Sequence, residues 1–107
     1  MGAVDEALDS ARMGVEIGPV SAHAHASLAA VLLIRDDLPA TVDSCRRAIS
    51  LDAAPGEPYL ALGNALIRQA QYEAAVEPLH MAIERLPEQA IINNSLGVAL
   101  LESGQLA

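Results

Sequence analysis

The sequence predicts an all-α chain, a helix-turn-helix solenoid of about six helices, and three observations carry that prediction. The first is a recurrence at a spacing of about 34 residues, a length that belongs to stacked supersecondary units. Leu62-Gly63 returns as Leu96-Gly97, Leu66 as Leu100 and Leu32, Ala82-Ile83 as Ala48-Ile49, and Pro87, two steps back, as Pro19. Such units bury their apolar faces against one another. The second is composition: 52% of residues are hydrophobic but only 2% are aromatic. The core must therefore be aliphatic and alanine-rich, and alanine both favours helices and lets them approach closely. The third is apolar spacing at i, i+3, i+4 and i+7, with no credible strand anywhere.

The first helix places Val4, Ala7, Leu8, Ala11 and Val15 on one face and Asp5, Glu6, Asp9 and Arg12 on the other. Gly18-Pro19 stops it. The second runs from about Ala22 to Arg35 and is apolar nearly all round. Asp36-Asp37 interrupts the pattern, and Pro39 suits the first turn of a third helix, where its missing N–H costs nothing. That helix turns Val42, Cys45, Ala48 and Ile49 inward, with Asp43 and Arg47 placed to pair at i, i+4 outside. Asp52 to Glu57, with Pro55 and Gly56, reads as a loop. The fourth helix, Pro58 to Arg68, carries Tyr59, Leu62 and Leu66. The fifth spans about Gln71 to Arg85 and is closed by Pro87; the sixth spans about Ala90 to Glu102 and ends at Ser103-Gly104. Pro78 is the anomaly. Inside the fifth helix it deletes the bond to the Ala74 carbonyl and clashes with it, which predicts a kink between Ala74 and Pro78 that faces solvent.

One stretch carries a full set of motif positions. Tyr59, Leu62-Gly63, Leu66, Tyr72, Ala75, Leu79, Ala82 and Pro87 fall at the aromatic, Leu-Gly, large, aromatic, small, large, small and closing-Pro positions of one unit. On these residues the chain resembles the tetratricopeptide repeat family over essentially its whole length. The preceding unit is looser, with His25 for the aromatic, Ala29 for Gly63, Thr41 for Ala75 and Ala53 for Pro87. The resemblance implies a right-handed superhelix divided as residues 1–20 (second half of a repeat), 22–55, 56–89 and 90–107 (first half of a repeat). Gly63 and Ala75 then lie where paired helices cross, and a larger side chain there would overpack by roughly 1–3 kcal/mol. In this register Val4, Leu8 and Val15 at one end, and Leu96 and Leu100 at the other, are expected to lack covers. That suggests a piece of a larger array, or a homo-oligomer formed through the end helices.

Composition narrows the partners. Fourteen acids against six bases give a net charge of −8, and every base is an arginine. A chain without a basic stripe is a poor ligand for nucleic acid or for an anionic membrane surface. The longest apolar run, Ala26 to Ile34, is too short to span a bilayer, and the N-terminal residues do not form a signal peptide, so a cytoplasmic location is favoured. Cys45 cannot form an internal disulfide and occupies the position of Leu79, which predicts a buried packing role.

No motif points to catalysis. His23 and His25 are two apart and face different sides of a helix, so they cannot chelate together, and no Glu or Cys stands at a metal spacing. His80 belongs on an outer face. Asp36-Asp37 sits at a helix-helix turn, where the carboxylates would favour the following helix N-terminus. There is no phosphate loop, nucleophile elbow or Cys-His pair. No catalytic residue, metal site or cofactor is therefore expected.

What the resemblance implies instead is a concave groove lined by the first helices of successive repeats. Carried onto this chain, the groove residues are Ala26, Ala30, Leu33, Leu60, Asn64, Ile67, Asn94, Val98 and Leu101. The family's readers of acidic C-terminal tails hold a carboxylate with Lys and Arg, whereas here the only groove-side base is Arg68 at the edge. The expectation is a non-catalytic protein-interaction module for an extended or helical segment with aliphatic anchors, whose backbone the Asn amides hold. Arginine without lysine hints at a GC-rich bacterial genome. The alternatives are a substrate-presenting array ahead of a glycosyltransferase or sulfotransferase domain, and a self-assembling scaffold.

Overall fold

The computed structural model describes residues 2–86 and 88–104, with Ala90 described by its backbone alone. Six helices account for nearly all of them: α1 (Ala3–Ile17), α2 (Ala22–Ile34), α3 (Leu38–Leu51), α4 (Glu57–Arg68), α5 (Tyr72–Arg85) and α6 (Ala90–Ser103). No strand occurs among the described residues. The starts are those the sequence marks. Ser21 caps α2 by accepting from the Ala24 N–H at 3.1 Å, and a proline stands in the first turn of both α3 and α4. The closing role expected of Pro87 lies outside the described residues.

The turns inside helix pairs share one geometry. Asp36 and Ala70, one period apart, both adopt the left-handed conformation, with φ of 64° and 59°. The N–H of Asp36 bonds the Leu33 carbonyl and that of Asp37 bonds Leu32; Ala70 and Gln71 bond Ile67 and Leu66 in the same way. This pair of bonds satisfies the last carbonyls of α2 and α4 and turns the chain into the next helix. Gly104, one period further on, repeats the left-handed conformation at the end of α6, with φ of 76°.

Among the described residues each helix packs on its sequence neighbours. In addition α2 touches α4 and α4 touches α6, whereas α1, α3 and α5 make no such contacts with one another. Helices on the α2–α4–α6 side are thus the more closely spaced, and the stack curves with that side inward. The core follows the repeat register: Ala29, Cys45, Leu62, Leu66, Ala75, Leu79 and Ala82 are buried together. Three polar residues, His25, Thr41 and Ser44, are also buried, and hydrogen bonds hold the first two. His25 Nε2 bonds the Pro19 carbonyl at 2.8 Å as donor, and Thr41 donates from Oγ1 to the Asp37 carbonyl at 2.8 Å.

Three sequence expectations need correction. Leu8 and Leu96 do not lack covers: they are 5% and 8% exposed, buried by their neighbours within the chain. Val15 and Leu100 are half-buried, and of the five only Val4 stands exposed. The more open apolar residues are spread along the chain, at Met13 and Ile17 on α1, Val20 before α2, Ile34 and Leu51 at the ends of α2 and α3, and Ile91, Val98 and Leu101 on α6. Pro78 does not face open solvent. Helix α5 runs through it from Tyr72 to Arg85, and Pro78 is half-buried, lining a cleft with Arg46 and Ile49 of α3. Asp43 and Arg47 do not close their pair. Among the described residues, the ion pairs that reach across the stack are Arg35 with Asp5 and Arg68 with Asp36, both tying one helix pair to the next.

Candidate functional site

The inner face of α4 presents Leu60, Asn64 and Ile67 at i, i+4 and i+7, which stacks them on one side of the helix. Across from them α6 presents Ile91, Asn94, Ser95 and Val98 in the same rhythm. Together with Arg68 at one edge they line a cleft of about 380 Å³. Leu60 and Ile67 are half-buried and form its floor, while Ile91 and Val98 stand exposed on the opposite wall. The polar groups lie between these apolar ones. Ser95 Oγ donates to Asn64 Oδ1 at 3.5 Å across the cleft, and Asn94 is exposed beside it.

Five of the nine groove residues named from the sequence therefore meet in one cleft: Leu60, Asn64, Ile67, Asn94 and Val98. Ala26 and Ala30 line a separate cleft of about 480 Å³ between α2 and the 52–58 segment, with His23, Pro55 and Glu57. Leu33 is half-buried and contributes its carbonyl rather than its side chain. Leu101 is exposed and lines neither cleft. Sequence reading missed Ile91 and Ser95. The signal was present, because Ile91 stands three before Asn94 and seven before Val98, but Asn93, Asn94 and Ser95 are consecutive and spread their polarity around α6, so no face stands out.

Arg68, the groove-side cation, is already engaged. Its Nη1 donates to the Leu33 carbonyl at 3.1 Å and lies 3.4 Å from Asp36 Oδ1. Both side chains are largely exposed, so the ion pair itself contributes little, but the guanidinium is aimed at the α2 turn and away from the floor.

Other reactive groups are quiet. Burial pushes the Cys45 thiol up to about 12, outweighing the opposing charge of Arg46. His23 and His80 are exposed, and no group of three His, Cys, Asp or Glu among the described residues could hold a metal ion. No helix of the described residues is long and apolar enough to cross a membrane.

A family model described as a tetratricopeptide repeat matches residues 60–107. The whole fold is similar to that of the crystal structure of MamA protein, with a TM-score of 0.86 and 25% identity over 96% of this chain. Residues 60–107 belong to the tetratricopeptide-repeat family, and the whole chain has that family's fold. It spans 56% of that MamA chain, little more than half its length. It is also similar to an O-GlcNAc transferase of Thermobaculum terrenum, with 26% identity and a TM-score of 0.83, over 92% of this chain and 19% of that one. The first tetratricopeptide-repeat domain of Spaghetti (RPAP3), bound to an HSP90 peptide, shares the fold at 19% identity, with a TM-score of 0.86 over 94% of this chain and 82% of that one. No curated protein matches by sequence.

In the register expected from the sequence, α2, α4 and α6 are first helices of tetratricopeptide repeats and α1, α3 and α5 second helices. The cleft is the space between two consecutive first helices. Gly63 marks why α4 can sit so close to its mate. A Cβ at that position would lie 2.6 Å from Leu79 Cγ, too close for any side chain unless Leu79 shifts.

Proposed function

We propose that this chain is a non-catalytic protein-interaction module whose α4–α6 cleft takes an extended or helical segment with aliphatic anchors. The observation that carries the reading is the lining: four aliphatic side chains, Leu60, Ile67, Ile91 and Val98, surround the polar trio Asn64, Asn94 and Ser95. Aliphatic walls take the anchors by burial. An amide whose oxygen is engaged, as that of Asn64 is with Ser95, still offers two N–H donors to a ligand backbone carbonyl. A ligand that ends in several carboxylates is disfavoured, because the one cation at the cleft edge is bonded to Leu33 and faces Asp36. The likeness to RPAP3 bound to an HSP90 peptide supports peptide binding by this fold in general, not that peptide in particular.

Selection of a displayed peptide library against the chain tests the reading. Enrichment of segments with two or more aliphatic residues at i, i+3 or i+4 spacing is expected. Enrichment of acidic C-terminal sequences, with binding abolished by Arg68→Ala, would overturn it. The similarity to part of the Thermobaculum terrenum O-GlcNAc transferase supports a second reading, in which the cleft presents substrate to a catalytic domain elsewhere in a longer protein.

A further inference from the structure

The proline inside α5 leaves its mark on the outer side of the stack, away from the α4–α6 cleft. Pro78 has no N–H, so the Ala74 carbonyl lacks the donor that a helix supplies four residues on. Ala74 and Pro78 both line a cleft of about 500 Å³ between α3 and α5. Tyr59 and Leu62 of α4, both buried, form its floor, and Ile49 and Met81, half-buried, flank them. Helices α3 and α5 each pack on a helix before and a helix after, so the cleft is built entirely within the chain.

The floor holds a second open polar group. Tyr59 is 7% exposed, and the Arg85 guanidinium lies over its ring, 5.0 Å from the centroid. Its hydroxyl nevertheless makes no hydrogen bond among the described residues. Every enclosed side-chain nitrogen or oxygen of those residues has a partner, so this hydroxyl is not sealed and opens into the cleft that Tyr59 lines. The two walls differ in charge. Arg46 stands on α3 and Glu77 on α5, both exposed, and among the described residues neither forms an ion pair. An apolar floor thus lies between an unpaired cation and an unpaired anion, with a carbonyl and a hydroxyl open beside it. Its complement is a segment that carries opposite charges on either side of an aliphatic group.

We propose that the α3–α5 cleft is a second docking site, for a partner-protein segment in which an aliphatic residue lies between a basic and an acidic one. The aliphatic side chain rests on Leu62, Ile49 and Met81. The basic side chain meets Glu77 and donates to the Ala74 carbonyl, while the acidic one meets Arg46. The Tyr59 hydroxyl serves the backbone of the segment, as donor or acceptor. Opposite walls of opposite sign also fix the direction in which the segment lies.

Random linear peptides displayed on phage and selected against the whole chain supply the probe. Peptides are expected that lose about tenfold or more in affinity on Glu77→Arg or Arg46→Glu, since like charges then face each other. The same peptides are expected to bind Ile67→Asp as they bind the parent, which separates this site from the α4–α6 cleft. Exchanging the basic and acidic residues of such a peptide is expected to restore binding to the double variant with both reversals, which circular dichroism shows to be folded. Two variants probe the open polar groups: Pro78→Ala supplies an N–H to the Ala74 carbonyl, and Tyr59→Phe removes only the hydroxyl. Each is expected to weaken binding by about threefold without lowering the melting temperature. A selection that yields only peptides indifferent to both charge reversals would overturn the proposal. So would an exchanged peptide that does not bind the double variant, or an affinity that neither Pro78→Ala nor Tyr59→Phe changes.

Discussion

Leu79 packs directly on the α-carbon of Gly63, with its Cγ 2.6 Å from where a Cβ would stand, and both residues are buried. That contact sets how close α4 and α5 lie, and it has an internal control in Gly97, the same position one period on with open space around it.

Gly63→Leu is expected to destabilise by roughly 1–3 kcal/mol through overpacking. Gly97→Ala in the isolated chain is expected to stabilise by about 0.5–1 kcal/mol, the usual gain at an exposed helix interior. Thermal melts of the two variants beside the parent check both signs, and equal shifts would contradict the contact.

Ala70 holds a left-handed conformation that costs an L-residue roughly 1–2 kcal/mol, partly offset by the backbone entropy that glycine would add to the unfolded chain. Ala70→Gly is therefore expected to raise stability, by on the order of 0.5–1 kcal/mol net. Asp36→Gly is expected to gain less, because Asp tolerates this conformation better and faces Arg68 at 3.4 Å. Urea titrations of both variants measure the difference.

Cys45 is buried, and its thiol is pushed from 9.0 up to about 12 by loss of solvation. The sign follows from linkage. Below pH 9 both folded and unfolded chains hold the proton, and the group leaves stability unchanged with pH. Between pH 9 and about 12 the unfolded chain releases its proton while the folded one keeps it, so stability falls. Cys45→Ala is expected to flatten that part of the pH profile relative to the parent. Disulfide-reagent labelling of the parent is expected to proceed at the rate of opening and not at the rate of an exposed thiol.

Leu60→Asp and Ile67→Asp sit on the half-buried cleft floor. Each is expected to weaken binding of a selected aliphatic peptide by about tenfold or more, since a charge there must either lose water or exclude the anchor. Arg68→Ala is expected to leave that affinity within about threefold, because surface pairs of this kind contribute under about 1 kcal/mol. Fluorescence anisotropy with a labelled peptide distinguishes these outcomes, and the reverse ranking would refute the apolar cleft.

The positions that recur are legible from the residues themselves. Leu62, Gly63, Ala75, Leu79 and Ala82 are buried together as the repeat register requires, and the prolines at 39 and 58 stand in first helical turns. What escapes reading lies where chemistry and position separate. Asp36 and Ala70 adopt the conformation that glycine signals in a sequence, and neither is glycine. Ile91 belongs to the cleft but sits in a helix with no polar face to define an inside. Counting repeats assigns Leu8 and Leu96 to open faces, yet α2 suffices to bury the first, and α4 with α5 the second. A broken backbone bond points to water at Pro78, whereas the residue lines a cleft beside α3.

The turn at residues 36, 70 and 104 recurs as a conformation while its residue changes from Asp to Ala to Gly. The left-handed conformation at the joint is thus kept whatever side chain occupies it. Repeat units are in this sense interchangeable parts: one can be removed or duplicated between equivalent joints and the remaining helices keep their aim. The length of the array is a free variable, and under the proposed function so is the length of the segment that successive first helices can hold.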